Sequence, residues 1–493
     1  MIGFPDRNRQ GTAGSRGFLE PGFRADGAKG LGGGAAVMEA RNPPAPPMGA
    51  IVAICISNSV VQMQVSIVNL AIPAINASFG ASVSELQWVI AAYTLSFAVL
   101  LLAAGALGDR IGTKMTFLAG FLVVALACLG CGFSSSIGLL NFFRSVQGAG
   151  AALLVPSSLA LARKVYGHDK RLLARTIAIW AAIGGASFAA GPIVGGILLS
   201  AWGWPSIFLV NIPLCMLGFL ISARFVHVKA GEIGGAHFDG TSQILFMASV
   251  FSFVGAAIEF RPLGYLHPLV WGGVIGGGGL AVSFALIQRT AKAPVLPGNL
   301  LREPYFTTPI LCGFIINMTY GGMIFLISLY LQVSLSYSAA QAGYAFIPLT
   351  ATFVAANLVG GRLSTNFGPR FPIILGTLAA AIGYALLIRC GAGTGFFDML
   401  PGFIFIPLGM GMTIPAMTTA VLEIVDQARS GTASAVFNTS RQVGSAAGVA
   451  IFGTLAATGT AAEIIEALRI SSAVSSLLLV FSILISFRMK RRE

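Results

Sequence analysis

GALGDRIGTK, Gly105–Lys114, returns later in the chain as GRLSTNFGPR, Gly361–Arg370. Both read G-x-L-x-x-x-[IF]-G-x-[KR], at an offset of 256 residues (361 − 105). Pro156, followed by Ser157 and Ser158, is echoed by Pro415, followed by Ala416 and Met417, at an offset of 259 (415 − 156). Two correspondences in the same order at nearly equal offsets describe a duplicated unit. Each copy of the first motif follows a long apolar run, so the unit is built from such runs.

The 493-residue chain is 56% hydrophobic and only 10% charged, with a mean hydropathy of +0.84. A soluble domain carries about 25% charged residues. Lipid is therefore the solvent of this chain. Its net charge of +13 does not point to nucleic acid, because no basic face or base-stacking module accompanies it. Basic residues gather on the cytoplasmic side of membrane proteins, and that accounts for the excess.

A membrane helix needs about 20 apolar residues. Fourteen stretches qualify: 49–73, 86–104, 115–133, 137–161, 176–199, 207–226, 243–260, 268–288, 309–332, 340–361, 371–391, 401–422, 440–459 and 468–487. The expected fold is an all-α integral membrane protein of fourteen transmembrane helices. Two six-helix halves, 49–226 and 304–487, flank a linker, 227–303, that carries an inserted helix pair. Residues 1–48 read as a disordered tail, with Met38 as the expected true start, and 488–493 as a basic cytoplasmic tail. With both termini cytoplasmic, all but four of the 30 Lys and Arg fall on that side. Arg261, Arg389 and Arg469 fall on the other, and Arg144 alone falls inside a span away from its ends.

Arg144 opens LLNFFRSVQGAGAALLVPSSLAL, Leu139–Leu161, ahead of Gly148, Ala149, Gly150, Ala151 and Ala152. Such small residues admit a neighbouring helix closely. The arginine is expected to face a wet cavity rather than lipid.

Repeated halves of this kind hold a substrate between them near the bilayer midplane. No G-x-x-x-x-G-K-[ST] loop occurs, so nucleotide hydrolysis is not the energy source. An enzyme needs clustered His or carboxylates at one depth, and His168, His227, His237 and His267 all fall in loops. No ring or filter loop suggests a channel. Cys55, Cys128, Cys131, Cys215, Cys312 and Cys390 lie in apolar runs, which predicts no disulfide, metal or cofactor.

GALGDRIGTK resembles the cytoplasmic loop signature of the major facilitator superfamily. FRSVQGAGAALLVPSS resembles the fourth-helix signature of its drug antiporters, and AIGGASFAAGPIVGG, Ala182–Gly196, the fifth-helix antiporter signature. IVNLAIP, Ile67–Pro73, resembles the end of the first helix. SLYLQVSLSYSAAQAGYAFIPL and GTASAVFNTSRQVGSAAGVA resemble second-half signatures of the fourteen-helix drug:proton antiporter branch. WGWPSIFLVNIP is similar to the methylenomycin-resistance type within it. The resemblance runs from about residue 50 to the C-terminus.

It implies a monomeric secondary active transporter in a bacterial inner membrane. Small drug- or antibiotic-like organic molecules would be exported by alternating access, in exchange for protons. Uptake of a neutral or anionic metabolite without proton antiport is the alternative. Asp109, Arg110 and Lys114, turned by Gly105 and Gly112, are implied to latch the cytoplasmic side; a solvated turn accounts for them equally. The second copy has Thr365 and Asn366 there, so the charged latch occurs once. Gly191, Pro192, Gly195 and Gly196, with Pro156, are the implied packing hinge.

One position departs from the pattern. Drug antiporters carry an acid five residues before the Asn of IVN, and counting back from Asn69 gives Gln64, close to Gln62 and Ser66. Gln64 cannot titrate. It serves as a polar packing residue or as a cavity wall. Trp88, Tyr93 and Tyr330 are candidate walls or interfacial anchors. Without a first-span acid, a neutral or anionic cargo suits Arg144 better than a cation.

Overall fold

The computed structural model describes residues 48–226, 240–290, 303–425, 430–456 and 459–489. Residues 1–47, Met38 among them, and His227, His237, Asp426 and residues 490–493 lie outside the described residues.

Fourteen helical segments follow one another. They are α1 (Met48–Phe79), α2 (Val83–Ile111), α3 (Thr113–Gly132), α4 (Ile137–Tyr166), α5 (Lys170–Trp202), α6 (Ser206–Phe225), α7 (Gly240–Leu263), α8 (Pro268–Thr290), α9 (Pro304–Ser334), α10 (Ala339–Phe367), α11 (Arg370–Leu387), α12 (Phe396–Glu423), α13 (Ser430–Thr454) and α14 (Ala461–Ser486). Short polar residues set the starts. The Ser82 hydroxyl accepts from the Glu85 N–H while the Glu85 carboxylate accepts from the Ser82 N–H, a reciprocal cap. Ser136 caps α4, Asp169 caps α5 and Thr460 caps α14 in the simpler way. Glu85 is thus a helix cap.

The duplication is visible in the packing. In the first half α1 packs on α5, α2 on α4, and α3 on α4 and α6. In the second, α9 packs on α13, α10 on α12, and α11 on α12 and α14. The repeated loop motif carries the same backbone device twice. Gly112 (φ +97°) and Gly368 (φ +77°) both adopt a left-handed conformation that favours glycine. Each is followed two residues on by a base that reaches the last helix of its own half. Lys114 Nζ donates to the Ala223 carbonyl near the end of α6, at 3.0 Å. The Arg370 guanidinium lies 5.5 Å from the ring of Phe487, the residue that ends α14.

The inserted pair is lopsided. α8 packs on α7, and α7 packs on both α2 and α13, straddling the seam between the halves. Gln243 Nε2 donates to the Val99 carbonyl of α2, while Thr454 of α13 donates to the Ala257 carbonyl of α7 at 3.0 Å. Arg261 pairs with Glu463 of α14, and Glu259 accepts from the Trp88 indole at 3.2 Å.

Thirteen of the described helices are long and apolar enough to cross a membrane by length and composition. α13 is equally long but polar, with Asn438, Arg441 and Gln442 in its middle. The apolar run 440–459 marked the wrong start for it. The helix begins at Ser430, so Arg441 lies well inside a span rather than beside a loop. Arg144 is therefore not the only basic residue within the spans. α13 tolerates its polar face because α9, α2 and α7 surround it instead of lipid.

Candidate functional site

The end of the bundle that carries Arg110, Lys114, Arg163 and Lys164 is called the basic end, and the opposite one the far end. The halves meet along α1 and α9, α5 and α10, and α2 and α13. At the far end the contact is backbone against backbone. A Cβ on Gly196 would stand 2.8 Å from the Ala339 carbonyl oxygen and 3.2 Å from Gly343 Cα. A Cβ on Gly343 would stand 2.9 Å from the Pro192 carbonyl oxygen. Glycine at both positions permits this approach. Ser328 donates to the Asn69 carbonyl at 2.6 Å, and Gln332 to the Leu70 carbonyl at 3.1 Å. Gln87 Nε2 donates to the Val449 and Ala450 carbonyls, both at 3.0 Å. Nearer the middle, Phe188 of α5 packs against Tyr320 and Phe353, with ring centroids 6.1 and 5.8 Å away. The cavity beside these rings, reaching Ser66 and Thr350, has a volume of about 10 Å³. That is room for about one water. Thr439 of α13 donates to the Ala98 carbonyl of α2 at 3.0 Å, close to the midpoint of α2. These seam-crossing hydrogen bonds span the stretch from the far end to this point.

Arg144 is sealed inside the first half. Its side chain is fully buried. Nε donates to the Val89 carbonyl at 2.8 Å and Nη1 to Gln147 Oε1 at 2.5 Å, and the guanidinium lies 4.4 Å from the centre of the Tyr93 ring. Charge on a ring face is favourable where water is excluded. Gln147 Nε2 and Gln64 Nε2 both donate to Cys128 Sγ, at 3.0 and 3.3 Å. Arg144 Nη2 and Gln64 Oε1 have no partner, and among the described residues no carboxylate pairs with the cluster. The expected wet cavity around Arg144 is replaced by α2, α3 and α4 themselves.

The other expected wall residues are dispersed. Tyr93 is buried and donates to the Val61 carbonyl at 3.0 Å. Trp88 faces the inserted pair through Glu259. Tyr330 is buried near the far end and donates to the Gly391 carbonyl at 2.7 Å. Gln62 is half-buried on α1. Of the latch residues, the side chain of Asp109 lies outside the described residues, Arg110 is exposed, and Lys114 binds within its own half. Gly105 faces open space. The glycines of α5 divide by face. Gly191 and Gly195 meet Ser66 and Ile67 of α1, while Gly196 crosses to α10. Pro156 lies inside α4 and Pro192 inside α5.

Arg441 was missed as a candidate. It is half-buried, and Nη1 donates to Asn438 Oδ1 at 3.3 Å. Asn438 Nδ2 is held in turn by the Ser434 carbonyl at 2.9 Å. Arg441 Nε has no partner. Gly444 and Gly448, four residues apart, are the small-residue signal that this helix packs closely on another, and they approach Phe314 and Met318 of α9.

The sequence model of the Major Facilitator Superfamily matches residues 54–449. The methylenomycin A resistance protein of Bacillus subtilis (strain 168) is 32% identical over 392 residues, 79% of this chain and 84% of that one. Its namesake from Streptomyces coelicolor is 33% identical, covering 79% and 82%. The puromycin resistance protein pur8 of Streptomyces alboniger is 32% identical over 406 residues, covering 81% and 80%. Among solved structures, the peptide transporter POT in complex with sulfate superposes with a TM-score of 0.68 at 13% identity, over 90% of this chain and 95% of that one. That likeness speaks to the fold. With a family match spanning most of the chain and relatives of this identity and coverage, the chain belongs to the Major Facilitator Superfamily.

Proposed function

We propose that this protein exports small organic, antibiotic-like molecules by alternating access, in exchange for protons. The observation that carries the mechanism is the seam. Two repeated halves touch backbone to backbone at Gly196 and Gly343 and stay joined to the Thr439–Ala98 bond. Alternating access rocks such halves about a central site. The relatives named for methylenomycin and puromycin resistance support the cargo class.

The basic end is cytoplasmic, following the positive-inside rule. The membrane is a bacterial inner membrane, and the working unit is one chain. The structure then corresponds to a state closed toward the outside. The halves comprise 49–226 and 304–487, with the 227–303 segment between them. Gly196 with Gly343 forms the outer gate, and Gly191, Pro192, Gly195 and Pro156 set the helix approach around it. Asp109 and Arg110 latch the cytoplasmic side in the opposite state, with Lys114 anchoring the loop to α6. The Arg144–Gln147–Cys128–Gln64 cluster positions α1, α3 and α4.

Transport into proteoliposomes with and without an imposed pH gradient tests the coupling; cargo movement indifferent to the gradient refutes proton antiport. Resistance of an efflux-deficient host tests direction. The carboxylate-free cluster favours one second reading, movement of an anionic metabolite down its own gradient, and the same gradient experiment separates the two.

A further inference from the structure

Arg441 lies 11 residues from Ser430 (441 − 430). At about 1.5 Å per residue this is about 16 Å along the axis, close to the level of the Thr439–Ala98 bond near the midpoint of α2. The packing sorts the faces of α13. Thr439, Ala446 and Ala450 face α2 and α7. Phe437, Ser440, Gly444 and Gly448 face α9. Asn438 falls between these two faces of the helix. The Arg441 stem lies along α9, its Cγ 3.4 Å from where a Gly313 Cβ would stand, and its guanidinium is held by Asn438, whose amide the Ser434 carbonyl fixes. Phe437 stands 5.7 Å below the guanidinium. Donors are left over, since Nε is unpartnered, and part of the side chain stays accessible despite its depth.

Among the described residues, no ion pair with an acid is found for Arg441; Arg261 and Glu463 pair at the far end. A buried charge without a partner is expensive in a membrane and marks a site that something else completes. Arg144 does not offer the same opening, because Val89, Gln147 and Tyr93 enclose it and none of its surface is exposed.

We propose that Arg441, oriented by Asn438, is the anchor for an anionic oxygen group, such as a carboxylate, on the transported molecule. This rests on the transporter reading above. The planar fork of arginine suits a carboxylate in two-point contact. The Phe437 ring behind it favours an aromatic acid over an aliphatic one.

The test uses the purified full-length chain and three probes: 2-naphthoate, its neutral analogue 2-naphthamide, and inorganic sulfate. Thermal unfolding is followed against probe concentration. The expected result is stabilisation by 2-naphthoate, with affinity weakened about 10- to 100-fold in Arg441→Gln. Arg441→Lys recovers part of the loss, because it keeps the charge but not the fork. Binding of 2-naphthamide is unmoved by either change. Equal 2-naphthoate affinity in Arg441→Gln, no stabilisation of the unaltered chain by 2-naphthoate, or full stabilisation by sulfate alone overturns the proposal. If Arg441→Gln does not fold, Asn438→Ala replaces it, with a smaller loss expected and no loss overturning. Proteoliposome flux of 2-naphthoate separates the two readings. Binding at Arg441 without flux refutes transport and leaves the site standing.

Discussion

Gly196→Ala is the most direct perturbation of the gate. The new Cβ would stand 2.8 Å from the Ala339 carbonyl oxygen, where ordinary contact begins near 3.4 Å. The obstacle is backbone on both sides, so no side chain can swing away. The halves must part by about half an ångström, or the helices must bend, and overpacking of this kind costs about 1–3 kcal/mol. The strain is relieved wherever α5 and α10 separate at the far end. The population of the far-end-open state should therefore rise by about 5- to 100-fold, at about 1.4 kcal/mol per tenfold. Spin labels on Ala77 and Ala392, exposed at the far end of either half, report the separation by electron–electron distance measurement. All six native cysteines are buried, so labelling near neutral pH is confined to the introduced pair. The expected outcome is a longer-distance population in Gly196→Ala that is minor in the parent. Gly185→Ala, whose Cβ meets nothing within 4 Å, should leave the distribution alone. A Gly196→Ala distribution identical to that of the parent would refute the backbone-contact gate.

Other consequences follow from the same geometry. Gln147→Leu removes the Nη1 acceptor of a fully buried arginine and should cost about 1.5–3 kcal/mol, read as a lowered unfolding temperature; an unchanged temperature would mean that the cluster is not structural. Gly112→Ala and Gly368→Ala force a left-handed backbone on a residue with a Cβ and should each destabilise by about 1 kcal/mol. A large difference between them in thermal unfolding would argue against equivalent roles in the two halves. The Cys390 thiol, in the α11–α12 loop, is pushed up to about 11 by burial, with Asp398 adding and Arg469 opposing. Its alkylation should climb about tenfold per pH unit from pH 8 to 10 and accelerate in Asp398→Asn. A plateau near pH 9 would contradict that environment.

Much of the fold was legible because its signals are local. Apolar length, the Ser and Thr caps and the repeated Gly112 and Gly368 turns can each be recognised within a few residues. α13 shows where locality ends. Its first ten residues look like a loop by polarity, yet they are helical because α9 and α2 replace lipid as their surroundings. The candidate site was legible as residue types only. Arg144, Gln64 and Tyr93 do belong to one neighbourhood, and their chemistry marked them as unusual in a membrane. Trp88 and Tyr330 were grouped with them by aromatic character alone, and they serve the insert seam and the far-end loop.

The sequence by itself determined the solvent, the all-helical class and the duplication, since these follow from composition and from order along the chain. The tertiary structure decided what each charge and glycine faces. By sequence Arg144 stands inside a span and Arg441 at the edge of one. One is enclosed by Val89, Gln147 and Tyr93, and the other stays partly accessible beside Asn438 and Phe437. Gly191 and Gly196 are likewise alike in sequence, but one contacts its own half and the other the opposite half. Helical periodicity sets which residues share a face, and only the packed neighbours set whether that face meets lipid, its own half or the moving seam.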